Sequence, residues 1–197
     1  MPQKMEIAIL AKSNKRRRNG DYGYCVAGIA KTGEWIRLVS DKNGDSLSKT
    51  MKFEVLDVIL AEVELSPLEF QCENAVLLSF MKLDENADTY IDILYQPNYA
   101  KIFSNSSYRL TEAEMRSLHG VSLMLAAVAD LQVYKATHGS WKVNFVFNNV
   151  LYENIAMTDP KYYYEGRIGN ASIVVSLPAV DSGYAGYYKF VAAIYKN

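Results

Sequence analysis

The chain has 197 residues, of which half are apolar and 22% are charged, so its composition is that of a folded globular protein and not of a disordered or fibrous one. Its formal net charge is −1, which argues against a surface that is basic all round, so nucleic-acid binding would need a local cluster of cations. The two cysteines form no CxxC pair. No apolar run reaches the roughly 18 residues of a membrane span, and the first residues do not resemble a signal peptide. We therefore expect a reduced, cytoplasmic protein with no membrane contact.

Three short strands are predicted in the first forty residues. Residues 5–12 and 24–30 are apolar runs rich in β-branched and long aliphatic side chains, and residues 34–40 follow a short turn that contains Gly33. Such spacing is typical of an antiparallel meander. Between the first two strands the segment Lys12–Arg18 carries five positive charges in seven residues, which is unusual in a nearly neutral chain.

Residues 53–65 and 71–83 could each form a strand or a helix. The spacing of their apolar residues fits neither the two-residue period of a strand nor the roughly 3.6-residue period of a helix. The clearest helix signature lies near the middle of the chain. Thr111 is a suitable N-cap, acidic residues follow it in the first turn, and Gly120 is a suitable stop. We interpret the region around this short helix as the hinge between two halves.

Strand signals return after Gly120. Residues 141–149 alternate, with apolar side chains on one face, and Asn148-Asn149 is a favourable hairpin turn. Each half of the chain thus contains about five short strands, which is the strand number of an OB-type barrel. The predicted fold is mainly β, with two tandem OB-like barrels at residues 1–110 and 111–197 and a short helix near the middle.

Several blocks of the sequence, in order, resemble the dual OB domain-containing proteins of prokaryotes. In the first half these are "ILAKS", "GYCVAGI", "TGEWIRLVS" and "FQCENAVL", although a proline is more usual in that family at the position of Cys72. In the second half "KVNFVFNNVLYENIAMTDPKYY", "IVVSLP" and "YYKFVAAIY" are similar to the C-terminal barrel of the family. The positions that match are Lys12, Ser13, Trp35, Arg37, Ser40, Asp159, Ser176 and Lys189.

The resemblance implies two OB barrels and a nucleic-acid-binding role, often in a defence or mobile-element setting. The run Lys15–Arg18 is longer and more basic than the family pattern. In OB barrels the loop between the first two strands rims the binding groove, so clustered cations there would contact phosphates and nearby aromatic rings would stack on bases. The candidate nucleic-acid-binding residues are Lys12, Ser13, Arg16, Arg17, Arg18, Tyr24, Trp35, Arg37 and Lys189.

A different interpretation of the basic turn remains open: it is a solvated loop that keeps a strand edge soluble, and Trp35 is a core residue. Two tyrosine-rich segments, residues 160–166 and 184–190, have three interpretations. They form a second stacking platform, a protein interface, or the rim of a barrel with hydroxyl groups in water.

Catalytic and metal-binding motifs are absent from the sequence. There is no GxSxG elbow, phosphate-binding glycine loop or metal-ligand spacing of His and Cys. Asp41, Asn43 and Asp45 have calcium-loop spacing, but Ser46 and Lys52 stand where that loop needs Gly and Glu. We therefore expect no cofactor and no enzyme, but a module that binds single-stranded or structured nucleic acid through the groove of the N-terminal barrel. The alternative is a protein-interaction module, with the tyrosine-rich C-terminal half as the contact, or a small-ligand sensor, within a larger assembly.

Overall fold

A computed structural model describes residues 1–17, 19–179 and 186–196. The chain divides into two compact units, Met1–Gln96 and Pro97–Asn197, and each contains one β-barrel. Among the described residues, no helix is both long and apolar enough to cross a membrane.

The division lies earlier in the chain than residue 110, because the residues just before that position pack on the second barrel. The Ile102 amide donates a hydrogen bond to the Tyr152 hydroxyl (2.8 Å), and the Lys189 ammonium donates to the Asn105 carbonyl oxygen (2.6 Å). The first contact holds the connecting segment to β10, and the second holds it to Lys189, which lies between β12 and β13.

Strands dominate the first unit, and its described elements are β1 (Gln3–Arg16), β2 (Tyr22–Ala30), β3 (Trp35–Val39), β4 (Leu47–Ser48), β5 (Val58–Leu65), β6 (Asn74–Leu83) and α1 (Asp88–Ile91). The meander β1–β2–β3 is antiparallel, β3 runs parallel to β6, and β5 pairs with both β6 and β1, which closes the ring. This strand order is that of an OB barrel, and the short β4 is added to the edge of β2. Both segments with open assignments, residues 53–65 and 71–83, supply strands.

The core of this barrel follows from the alternation of side chains along the strands. Ile7 and Ile9 of β1, Val26 of β2 and Leu38 of β3 are buried in one cluster. Complete burial of one such side chain stabilises the fold by about 1.5–3 kcal/mol. The register of β1 against β2 shifts just after Ile9, and a bulge of this kind bends a strand, so that β1 can pair with both β2 and β5.

The described elements of the second unit are β7 (Arg109–Leu110), α2 (Glu112–Ser117), β8 (Leu123–Lys135), β9 (Trp141–Phe147), β10 (Val150–Met157), a 3₁₀ turn (Pro160–Tyr162), β11 (Gly166–Ser176), β12 (Tyr187–Tyr188) and β13 (Phe190–Lys196). Five of these strands form a closed barrel in the order β10-β13-β11-β8-β9. The parallel pair β10–β13 takes the place of the parallel pair β3–β6 in the first barrel. The prediction of two OB-like barrels is therefore confirmed.

Two local predictions in this unit are also confirmed. Asn148 and Asn149 join β9 to β10 with φ values of 49° and 60°, as a hairpin turn with two left-handed residues requires. Thr111 caps α2 in a complete capping box with Glu114, because each side chain accepts a hydrogen bond from the other residue's amide. This helix lies inside the second unit, so its interpretation as a hinge between the halves is wrong.

Candidate nucleic-acid interface

The described part of the basic run, residues 12–17, lies in the last part of β1 and at the start of the turn that joins β1 to β2, as the sequence predicts. Arg16 pairs with Tyr22 at the last step of the ladder. Beyond it, the Arg17 amide donates to the Asp21 carbonyl oxygen (2.7 Å), which closes a short turn. Gly20 has a φ of 90°, a value that glycine adopts without strain. The turn is therefore a compact loop at one end of the first barrel.

The cations of this turn are not equivalent. Lys15 is exposed. Arg17 is half-buried, and its Nε lies 3.6 Å from Oδ2 of Asp45, so an internal carboxylate neutralises its charge. The side chain of Arg16 and the whole of Arg18 lie outside the described residues.

Lys12 is committed to contacts inside the first unit. Its ammonium donates to the Phe53 carbonyl oxygen (2.8 Å) and to Oε1 of Glu54 (2.9 Å), and it lies 4.5 Å from the centre of the Tyr24 ring. Only 8% of the side chain is exposed. Lys12 thus holds the connection after β3 against the hairpin, and this removes it from the candidate phosphate contacts.

An exposed aromatic ring and a lysine meet beside the basic turn. The Tyr22 side chain is 63% exposed, and the Lys49 ammonium lies 5.6 Å from the centre of its ring. The same ammonium lies 5.9 Å from the centre of the Tyr24 ring, which is half-buried against the core. We call Tyr22, Tyr24 and Lys49 the hairpin cluster. Lys52 is a further exposed cation three residues after Lys49.

Lys49 reaches this place because β4 pairs with the beginning of β2. Gly23 lies opposite Ser48 in that ladder, so the next residue of the chain is next to Tyr22. A Cβ on Gly23 would lie 2.3 Å from the Leu47 carbonyl oxygen, so only glycine permits this approach. Lys49 is not among the predicted contacts because a two-residue strand gives no periodic signal in the sequence. The signal that could have found it is the OB strand order, which brings the connection after the third strand back to the hairpin.

Arg37 is the clearest correction to the predicted site. Its side chain is buried, with an exposure of 3%, and the guanidinium donates to Oε1 of Glu73 through Nε (3.2 Å) and Nη2 (3.1 Å) and to Sγ of Cys25 through Nη1 (3.1 Å). Burial lowers the pKa of Arg37, but Cys25 and Glu73 outweigh burial and raise it. The guanidinium therefore carries a charge that is compensated inside the protein and is not available to a phosphate.

Ser13 and Trp35 are also wholly or partly withdrawn from solvent. Ser13 is buried opposite Cys25 in the β1–β2 ladder. Trp35 is half-buried, and its indole Nε1 is buried with no hydrogen-bond partner among the described residues. Because Ser13 is buried, it is not part of an exposed contact surface. Trp35 packs its indole N–H edge against the protein and keeps only part of its surface exposed.

The predicted sharing of one face by Trp35 and Arg37 is correct, but that face is covered. In OB folds the outward face of strands two and three is a common oligonucleotide surface. Here Ala27 lies opposite Arg37 on this face, and both are buried. Helix α1 contacts β2, and the Gly33 carbonyl oxygen accepts a hydrogen bond from the Tyr95 amide (2.8 Å). The face of β2 and β3 around Ala27 and Arg37 is therefore withdrawn from solvent, whereas Tyr22 at the hairpin end is exposed.

Lys189 is buried in the second unit. Its ammonium donates to the carbonyl oxygen (2.6 Å) and to Oδ1 (2.9 Å) of Asn105 and lies 5.3 Å from the centre of the Tyr152 ring. Burial lowers its pKa to about 7 despite the nearby Glu114. In the unfolded chain a lysine has a pKa near its ordinary value of about 10.4, so the folded state binds fewer protons between about pH 7 and 10 and the free energy of unfolding rises with pH there. Lys189, a predicted contact, therefore has no exposed surface in the folded second unit.

Most positions that carry the family resemblance are buried polar residues. Asp159 accepts hydrogen bonds from the amides of Lys161 (2.9 Å) and Ile194 (3.0 Å), and Ser40 donates through its amide to the Asp45 carbonyl oxygen (2.9 Å). Buried polar groups need such partners, and each pairing fixes the course of the chain. The resemblance thus identifies residues that shape the barrels, whereas the exposed hairpin cluster lies mostly outside it.

The fold and these internal networks define a protein with two tandem OB barrels. The sequence matches the family described as the dual OB-containing domain over residues 5–194, which is nearly the whole chain. The chain belongs to that family. No curated protein matches it in sequence.

Proposed function

We propose that the protein is a binding module that contacts single-stranded or structured nucleic acid through the end of the β1–β2 hairpin. The observation that supports this most directly is the hairpin cluster, in which the exposed Tyr22 ring lies beside the Lys49 ammonium. Lys15 and Lys52 are exposed nearby in the chain. The loop between the first two strands is one of the surfaces with which OB folds bind oligonucleotides.

Each part of the cluster has a physical role in this proposal. A base that stacks on Tyr22 contributes about 1–3 kcal/mol, whatever its identity. Lys15, Lys49 and Lys52 are the phosphate contacts. If three phosphates of a single strand are neutralised, the affinity falls about 20-fold between about 50 and about 200 mM salt.

Binding without catalysis is part of the same proposal. Membership of a dual OB family favours a binding role, because this fold presents loops and strand faces to ligands. We also propose a cytoplasmic, prokaryotic setting, in which Cys25 stays a reduced thiol and accepts the hydrogen bond from Arg37.

The test is fluorescence anisotropy with labelled single-stranded DNA, single-stranded RNA and duplex DNA. Lys49→Glu should weaken binding at least tenfold, because it removes a phosphate contact and adds a repulsive charge. Tyr22→Ala should also weaken binding, while Tyr22→Phe should retain it because the ring remains. The matched control is Lys4→Glu, which makes the same charge change at the exposed opposite end of β1. Equal affinities of Lys49→Glu and Lys4→Glu would contradict the proposal.

A second candidate function is a protein-interaction module, and the outward face of β9 and β10 favours it. Leu151 is 56% exposed there and lies opposite Val146 in the ladder. An exposed leucine on a sheet face is a suitable centre for a protein contact. This candidate predicts association with a partner protein that changes little with salt and that Leu151→Asp abolishes.

A further inference from the structure

A second cluster of aromatic rings and lysines lies on the second barrel. The Trp141 and Tyr163 rings are stacked, with centres 5.8 Å apart and planes 6° apart. The Tyr162 and Tyr164 rings also contact each other, with centres 5.8 Å apart. We call Tyr162–Tyr164 the tyrosine turn. Four aromatic rings thus lie at the end of the β8–β9 hairpin and in the connection after β10.

The tyrosine turn is exposed, although hydrogen bonds to a buried carboxylate fix the residues that precede it. Tyr163 is 39% and Tyr164 is 45% exposed. The buried carboxylate of Asp159 anchors the start of the turn through its hydrogen bonds from the amides of Lys161 and Ile194. A rigid platform loses little conformational freedom when a ligand binds, so these contacts prepare the rings for stacking.

Lysine ammonium groups lie beside two of these rings. The Lys135 ammonium lies 5.9 Å from the centre of the Trp141 ring, and the Lys196 ammonium lies 5.8 Å from the centre of the Tyr162 ring. Lys161, the residue just before the tyrosine turn, is exposed. Protein interfaces are depleted in lysine, and a cationic ligand would be repelled by these ammonium groups. The combination of flat rings with cations at their edges is complementary to a base and its phosphates.

The position of this cluster matches that of the hairpin cluster on the first barrel. In both barrels the cluster lies where the hairpin between the first two barrel strands meets the connection after the third strand. In the first barrel the lysine of that connection is Lys49, and in the second barrel the connection supplies the tyrosine turn. The two barrels therefore present the same chemistry at corresponding ends.

We propose that the second barrel has its own stacking site for single-stranded nucleic acid. A base stacks on the exposed part of Tyr163, with Trp141 behind it, and phosphates bind Lys135, Lys161 and Lys196. The ligand class rests on the proposed function of the protein, but the residues, the barrel and the test are separate from those of the hairpin cluster.

Trp141 allows this site to be observed alone. The chain has two tryptophans, so Trp35→Phe leaves Trp141 as the single indole. Trp35→Phe also removes a buried N–H that lacks a partner among the described residues, so we expect the fold to tolerate it. In this full-length background, thymidine and uridine oligonucleotides of about eight bases should quench Trp141 emission, because a base that stacks on Tyr163 lies beside the Trp141–Tyr163 pair.

Variants of Tyr163 test whether base stacking causes the quenching of Trp141 emission. Tyr163→Ala should weaken the quenching at least tenfold in apparent affinity, while Tyr163→Phe should retain it because the ring is kept. The control is Tyr95→Ala, which removes an exposed tyrosine from the first unit and should leave the quenching unchanged. Equal quenching in Tyr163→Ala and in the parent would overturn the inference.

Different results would overturn the proposed site at the hairpin cluster and the proposed site at the tyrosine turn. If the oligonucleotides leave Trp141 emission unchanged while anisotropy shows binding that depends on Lys49, the tyrosine turn is a packing or protein-contact surface and only this inference is overturned. If neither readout detects binding at about 50 mM salt, both proposals are overturned. Quenching by the oligonucleotides of about eight bases that Tyr163→Ala weakens at least tenfold, and that Lys49→Glu weakens much less, supports the second site.

Discussion

Replacement of Arg37 by methionine separates a structural role from a binding role at this position. The guanidinium donates hydrogen bonds of 3.1–3.2 Å to Glu73 and Cys25, and both partners of the ion pair are almost fully buried. Methionine has a similar length but no charge, so the Glu73 carboxylate would remain buried without its cation. Loss of one partner of a buried pair costs about 3–5 kcal/mol. The first unit should therefore be destabilised by about this amount.

Urea unfolding measures this loss. In a Trp141→Phe background the fluorescence of Trp35 reports on the first unit alone. With a urea dependence of about 1.5 kcal/mol per molar, the midpoint should fall by about 2–3 M. The double variant Arg37→Met, Glu73→Leu should recover part of the loss, because no charge is then left unpaired. A shift below about 0.5 M, or the loss of nucleic-acid binding by a variant that stays folded, would refute the structural role.

Three further residues give separate tests. Lys189→Met should abolish the rise of about 1.4 kcal/mol per pH unit that Lys189 gives to the free energy of unfolding between about pH 7 and 9.5, and urea unfolding at several pH values measures it; an unchanged slope would show that burial does not lower the pKa of Lys189. Gly23→Ala should displace β4 and weaken oligonucleotide binding, because its Cβ would lie 2.3 Å from the Leu47 carbonyl oxygen, and amide exchange of Lys49 would show whether β4 has moved. Thr111→Ala should destabilise the second unit by about 1 kcal/mol through loss of the capping box, and a thermal midpoint that does not change would show that the cap is dispensable.

The local elements could be predicted from the sequence because their signals are local. The β9 strand follows from the alternation of Val143 and Phe145 with more polar residues, and its turn follows from two asparagines that tolerate a positive φ. The capping box at Thr111 is likewise complete within four residues. None of these features depends on contacts that are distant in the chain.

The site was only partly predictable because exposure is decided by distant segments. Alternation places Trp35 and Arg37 on one face, but it does not show that the Arg37 guanidinium is buried in an ion pair with Glu73. Lys12 is a basic residue in a basic run, yet Glu54, 42 positions later, neutralises it. A charge cluster in a sequence therefore overstates the charge that a folded surface presents.

The position of the domain boundary has the same explanation. Composition changes near residue 110, but the segment before it is held by long-range contacts, such as that from the Asn105 carbonyl oxygen to Lys189, which is 84 positions later. Such contacts have no periodic signature. The division at Gln96 is set by them and not by a change in the local pattern.

Salt-dependent anisotropy would show whether the exposed hairpin end of the first barrel binds nucleic acid. Anisotropy of labelled oligonucleotides of about 20 nucleotides is compared for the wild-type chain, Lys49→Glu and Lys4→Glu at about 50 and about 200 mM salt. We expect the wild-type chain to bind with micromolar or tighter affinity, and this affinity should fall about 20-fold from the lower to the higher salt concentration. The affinity of Lys49→Glu should be at least tenfold lower, and that of Lys4→Glu should equal the wild-type affinity. No binding of single-stranded DNA, single-stranded RNA or duplex DNA at the lower salt concentration would contradict binding at the hairpin end.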